Sequence, residues 1–312
     1  MTSATRAAVT DPARTRAGIL MGLGAYTLWG VLPLYFKAVA HVQATEIVAH
    51  RILWSLIFLG ALATLWRRWP AIRTALASPR VALTLALTAT LIGVNWLVYI
   101  YAVVSGHVLE GSLGYYLNPL VNVLLGVFLL KEKLSRLQNG AVLLAAAGVA
   151  ILAFGAGGAI WISLVLAASF ALYGFLRKVA PVDALEGLWI ETLFLAPLAL
   201  GWLVWLARAG GGAFLAERST DFLLILGGAL TAIPLLLFTA AAKRLAYSTL
   251  GFLQYVAPSL QFLLAVLAFG EPLTAHIVCF GAIWAALAIF VVESVRAGRA
   301  ARAACAAAEA AV

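Results

Sequence analysis

Two cysteines in 312 residues, Cys279 and Cys305, are too few for a disulfide framework, and four scattered histidines make no metal site. Charge is scarce as well: Asp, Glu, Lys and Arg make up 11% of the chain, less than half of the ~25% usual in soluble domains. With 64% hydrophobic residues and a mean hydropathy of +1.04, that scarcity excludes a soluble domain of any core size. No phosphate loop, no GxGxxG after a strand and no HExxH occurs. Nothing therefore calls for a cofactor, and an ATP-driven pump would need a partner chain.

What is present is long apolar runs. A membrane span takes roughly 20 mostly apolar residues. Ten such segments are predicted, over about 18–39, 44–66, 81–104, 109–130, 137–155, 159–178, 187–207, 221–242, 248–269 and 273–294. The expected fold class is an all-α polytopic membrane protein in contact with the lipid bilayer. The polar stretch before residue 18 reads as a disordered tail, because the run after it is too long for a signal peptide.

The net charge of +9 would suggest nucleic acid as a partner of a soluble protein; here it reads as orientation instead, with no nucleic acid. Seventeen of the 21 Lys and Arg lie in the two tails and in alternate loops, such as Arg67/Arg68/Arg73/Arg80, Lys131/Lys133/Arg136 and Lys243/Arg244. The other loops hold Lys37, Arg208 and Arg218. The positive-inside rule then places both termini in the cytoplasm.

The chain also looks duplicated. GYYLNPLVNVLLGVFLLKEKL (114–134) and LQYVAPSLQFLLAVLAFGEPL (253–273) align at an offset of 139, pairing Tyr116 with Tyr255, Pro119 with Pro258 and Glu132 with Glu271. Offsets of 144 and 145 pair Trp29 with Tyr173 and Glu46 with Glu191. An odd number of spans per copy turns the second copy upside down. Lys131, Lys133 and Arg136 accordingly match the uncharged Gly270, Pro272 and Ala275. Inverted repeats with a site near the midplane are typical of secondary transporters.

YTLWGVLPLYFK (26–37), HRILWSLIFL (50–59), GHVLEGSLGYYLNPLVNVLLGVFLLKEKL (106–134), SFALYGFLRK (169–178) and the stretch 231–273 resemble the RarD branch of the EamA-type transporters, in the drug/metabolite transporter superfamily. The resemblance covers about residues 18–295. It implies ten helices in two inverted five-helix EamA units, here taken over 18–155 and 159–295, and the charge distribution makes 1–17 and 296–312 cytoplasmic tails. The resemblance also implies a bacterial inner-membrane location and permease activity.

Candidate site residues follow from polar groups inside apolar runs. Arg51 lies about 10 Å below the outer end of its span at 1.5 Å per residue. A charge so placed costs several kcal/mol unless it pairs, snorkels or faces water. It shares a helical face with Ile47, Trp54, Ser55 and Phe58. Three readings stand open: an ion pair with Glu110 locking two helices, a wet pathway attracting an anionic solute, or snorkelling. His50 fits a proton relay or a packed core histidine. Glu46 and Glu191, at mirror-related depths, fit paired gates or paired anchors. In YYLNP and QYVAP, the amides of Asn118 and Gln254 and the phenols of Tyr116 and Tyr255 suit a central substrate site, with interhelical hydrogen bonding as the other reading. Asn95 joins them from the third span. Pro33, Pro119, Pro234 and Pro258 are expected helix breaks. Small residues at Ala141/Ala145 and Ala146/Ala150 allow close helix approach, inside the chain or, as the lesser reading, across a homodimer.

The function expected is a permease or exporter of small metabolites or amphiphilic drugs working by alternating access, not an enzyme. The alternatives are an integral-membrane enzyme on a lipid-like substrate and a non-transporting sensor or assembly factor. A reporter that is active only in the cytoplasm gives signal when fused to either end of the chain; activity at one end alone would overturn the orientation.

Overall fold

The computed structural model describes residues 12–154, 159–269, 281–293 and 296. All regular structure among them is helical. In chain order the helices are α1 (Pro12–Ala38), α2 (Ala44–Leu65), α3 (Trp69–Ala77), α4 (Pro79–Val104), α5 (Val108–Phe128), α6 (Arg136–Phe154), α7 (Ile160–Val179), α8 (Ala184–Arg208), α9 (Arg218–Ala242), α10 (Tyr247–Gln254) and α11 (Val256–Phe269). A further apolar helix, α12, covers Gly281–Glu293. Among the described residues six helices are long and apolar enough to cross a membrane: Ala13–Ala38, Ala44–Leu65, Pro79–Ala102, Ile160–Val179, Ala184–Arg208 and Arg218–Ala242. In hydrocarbon a helix satisfies its own backbone, which is why these apolar runs take no other form. Both cysteines, Glu271 and the C-terminal tail beyond Arg296 lie outside the described residues.

One element was not legible as a helix. Residues 67–80 read as a basic loop, yet α3 forms there. Pro70 falls in its first turn, where a missing N–H costs nothing. Ile72 and Ala75 are buried, and the Trp69 ring meets Trp189 edge-on at 5.1 Å. The segment is an amphipathic helix lying along one end of the bundle, packed on α4 and α8.

The proline expectations need correction. α1, α5 and α9 run unbroken through Pro33, Pro119 and Pro234. Neighbouring helices can supply the hydrogen bonds that an interior proline removes. Pro33 releases the carbonyl four residues before it, Trp29 O, and Gln261 Nε2 of α11 donates to that oxygen at 3.1 Å. Only Pro258 accompanies an interruption. Tyr255 forms a turn between α10 and α11, so Pro258 falls in the first turn of α11.

The halves of the chain interlock. α1 packs on α9, α10 and α11, while α7 packs on α4 and α5; α2 lies between α8 and α9, and α10 crosses α5. Lipid is as apolar as a leucine, so these contacts rely on close approach and interhelical hydrogen bonds. At the α2–α9 crossing Ser55 Oγ donates to Gly228 O at 2.9 Å. A Cβ on Gly228 would run into the backbone of Trp54. At the α5–α10 crossing a Cβ on Gly251 would lie 2.8 Å from Pro119 O.

Backbone cannot move aside as a side-chain tip can. Gly228→Val is expected to cost about 3 kcal/mol, at the upper end of overpacking penalties, and to lower the melting temperature in detergent. Gly140→Ala, in α6 with open space around it, should leave melting unchanged or slightly raised. Equal melting of the two variants would refute the crossing geometry.

Candidate functional site

A cavity of about 560 Å³ lies between α1, α2, α4, α5, α7, α9, the end of α10 and α11. Its lining positions fall in the C-terminal halves of α1 and α4 and the N-terminal halves of α2 and α5. These helices alternate in direction, so all four halves lie at one end of the bundle, opposite the end that carries the Arg/Lys-rich connections. Ser112 and Gln261 are exposed at the rim. The floor, near mid-bundle, is aromatic. Tyr26, Trp29 and Phe170 line it, and Phe238 packs beneath at 6.3, 5.7 and 5.3 Å between ring centroids.

Arg51 is in the cavity wall. Its Nε donates to Thr231 Oγ1 at 2.7 Å, and Thr231 passes a hydrogen bond to Gly227 O at 2.7 Å. The guanidinium carbon lies 5.4 Å from the Phe36 ring centroid and 5.7 Å from that of Trp96. Among the described residues no carboxylate comes within 4.0 Å of it. The ion pair with Glu110 is therefore not formed. Glu110 is buried elsewhere, its backbone carbonyl accepting from Ser163 Oγ at 2.6 Å. Two cation–π contacts at about 0.5–1 kcal/mol each, with one charged hydrogen bond at about 1.5–3 kcal/mol, are of the same order as the several kcal/mol that a bare charge costs at this depth.

The other expected residues divide. Asn95, Tyr116, Gln254, Pro33 and Pro258 reach the cavity. Asn118 and Tyr255 are fully buried outside its lining. Asn118 Nδ2 donates to Ala167 O at 2.9 Å, and Asn95 Nδ2 to Leu166 O at 2.9 Å, so the two amides grip consecutive carbonyls of α7. Asn122 Nδ2 bridges Asn118 Oδ1 and Gln254 Oε1 at 3.1 and 2.9 Å. Tyr255 OH reaches Tyr116 O at 3.4 Å. For Asn118 and Tyr255 the geometry is that of interhelical bonding. Sequence reasoning missed Tyr99, Trp29 and Thr231. For Tyr99 a signal existed: it follows Asn95 by four residues and so shares its face.

Glu46 and His50 belong to a second pocket, of about 390 Å³, beside the α8–α9 connection. Glu46 Oε1 accepts from Ala213 N at 2.8 Å and Phe214 N at 3.2 Å. His50 lies 3.9 Å from Glu46 and packs its ring on Phe214 at 4.6 Å. Glu46 thus anchors a loop.

Glu191 faces the basic end. It pairs with Arg177 at 3.3 Å, accepts from Thr88 Oγ1 at 2.5 Å and from Tyr173 OH at 3.3 Å. Arg177, which reads in the sequence as a loop charge, is fully buried, and its Nη2 donates to Ala184 O at 3.1 Å. The same end is tied by Lys178 Nζ to Ala242 O and Lys243 Nζ to Ala180 O, both at 2.7 Å; each lysine caps the other's helix. Glu132 caps α10 through Ser248 N at 2.9 Å. Among the described residues no cluster of His, Cys, Asp and Glu could hold a metal.

The EamA-like transporter family model matches residues 16–154. An uncharacterized transporter of Vibrio cholerae is 47% identical over 92% of this chain and 96% of its own. Protein RarD of Escherichia coli K12 is 45% identical over 91% of this chain and 97% of its own. A solved crystal structure superposes with a TM-score of 0.72 at 21% identity, covering 89% of this chain and 98% of that one; it shows the fold alone.

Removing one partner of a buried ion pair strands the other. Arg177→Met should cost about 3–5 kcal/mol, and Arg177→Met with Glu191→Leu should recover most of it. Melting in detergent reads both, and a double variant no better than the single one would refute the pairing.

Proposed function

The chain belongs to the EamA-like transporter family, in the branch that carries the name RarD, and from that premise we propose a secondary permease of ten spans working by alternating access. It is an integral membrane transporter of the drug/metabolite type rather than an enzyme. In our reading α3 lies at the surface, α10 and α11 form one interrupted span, and α12 is the last span. The two five-span units are residues 18–155 and 159–295, inverted with respect to each other. What supports the inversion is that contacts between the halves come in matched pairs. α1 on α10 and α11 mirrors α7 on α5; α1 on α9 mirrors α7 on α4; α2 on α9 mirrors α8 on α4. The α2–α8 and α5–α10 contacts are their own mates, as contacts on a two-fold axis must be.

With the basic end in the cytoplasm, the cavity faces outward across the bacterial inner membrane. The observation that carries the proposal is the contrast between the ends. A chamber wide enough for a drug-sized solute descends from one end to mid-bundle. Below it, an aromatic layer and the buried Arg177–Glu191 pair close the other end. Small metabolites or amphiphilic drugs would bind among Arg51, Asn95, Tyr116 and Gln254. Rocking of one unit against the other would then move the opening to the cytoplasmic side.

Two measurements test this. Purified protein in liposomes should move solute without ATP. In a variant with both cysteines changed to serine, Ser112→Cys should react with a membrane-impermeant maleimide on intact spheroplasts and lose flux when labelled, whereas Ala171→Cys, fully buried in α7, should not react. A strict need for ATP, or labelling of Ser112→Cys only after permeabilisation, would sink the proposal.

A further inference from the structure

From the wall of the same cavity we infer the charge class of the solute: an amphipathic organic anion, a carboxylate on an apolar or aromatic body, bound end-on by Arg51. The inference rests on the transport reading of the cavity and adds to it.

Three observations carry it. First, Arg51 is the one charged residue in the described lining, and no Asp or Glu appears there. An ammonium entering the cavity meets no carboxylate and one fixed cation. Second, the guanidinium is oriented but not consumed. Thr231 takes Nε, which fixes the plane of the fork, while Nη1 and Nη2 have no hydrogen-bond acceptor among the described residues. Two parallel N–H groups at the tip match a carboxylate's two oxygens, the bidentate geometry in which arginine exceeds lysine. Third, the rest of the chamber suits a ring. Tyr99 and Tyr115 meet edge-on at 5.6 Å between centroids, and both line the cavity with Arg51. Trp29 and Phe170, 5.7 Å apart, form the floor. Two of the chamber's aromatic faces, Phe36 and Trp96, already carry Arg51.

The alternative is that Arg51 is a structural cation satisfied by Thr231, two rings and water, and the chamber takes neutral or cationic amphiphiles. A series of one skeleton with three head groups separates the two: 3-phenylpropanoate, 3-phenylpropylamine and phenylalanine, at pH 7.5, where the carboxylates are ionised. Binding to the full chain in detergent is read by intrinsic tryptophan fluorescence, since Trp29 and Trp96 line the cavity. The acid should bind at least ~10-fold tighter than the amine and the zwitterion, the scale of one charge-assisted contact. Arg51→Gln should shrink that preference to about 2-fold or less, and Arg51→Lys should keep part of it, as a point charge without the fork. Should Arg51→Gln fail to elute as a folded species, the wild-type series decides alone.

Amine or zwitterion binding as tight as the acid, or no response to any of the three at millimolar concentration, overturns the inference. Protein that moves solutes in liposomes without charge preference loses the anion assignment and keeps the transport reading. Protein that binds the acid selectively but moves none of it keeps the anion assignment and loses the transport reading.

Discussion

Hydrocarbon offers no partner to a charge or a freed peptide group, so each one placed within a span must bring its own solvent. Two arginines in this chain meet that constraint in opposite ways. Arg177 is enclosed: a carboxylate, two backbone carbonyls and tight packing surround it, so tight that a Cβ on Gly187 would collide with its guanidinium. Arg51 is held by a single hydroxyl and two ring faces, with its tip toward a cavity. The same side chain closes one end of the bundle and lines a chamber at the other.

Amides and prolines follow the same logic. The Asn118–Asn122–Gln254 chain joins α5 to α10, and Asn95 and Asn118 clamp α7 from two sides. These bonds fix how the halves sit together, because apolar contact alone does not choose one helix crossing over another in lipid. Gln261 reaching the carbonyl opened by Pro33 shows why a proline in a span need not break it. The freed acceptor becomes a docking point for α11.

Most helix positions were legible from hydropathy because each span must be both long and apolar, although α1 begins at Pro12, inside the stretch read as a disordered tail. α3 was hidden because Arg68, Pro70 and Arg73 look like a loop to a reading based on charge and proline; only its buried face, Ile72 and Ala75, makes it a helix. Polarity inside apolar runs marked Arg51, Asn95, Tyr116 and Gln254, which reach the cavity. It marked Asn118 and Tyr255 just as strongly, and they do not. A buried amide bonded to a neighbouring helix and one facing a chamber have the same one-dimensional signature; the rotation of the helix separates them, and a residue or two changes that rotation by 100–200°. Arg177 was read as a loop charge because it stands next to Lys178 at a helix end, where a flexible cation would normally reach water.

In the proposed duplication Glu46 corresponds to Glu191 at an offset of 145, yet the two hold different partners. Glu191 binds a guanidinium, and Glu46 binds the backbone of a loop. At the matching offset of 144, Arg177 corresponds to Pro33, which has no charge to offer. In the proposed cycle the two ends therefore cannot close by the same chemistry. A cycle needs its two states within a few kcal/mol of each other, or one of them is never populated. A buried ion pair suits that requirement better than it first seems. Its Coulomb attraction is largely offset by the desolvation of both charges. Breaking it dry, by deleting one partner, is costly; breaking it wet, by admitting water to both partners together, is not. A cytoplasmic gate built on Arg177 and Glu191 would hold firmly against loss of either residue and still open at modest cost when the whole end separates.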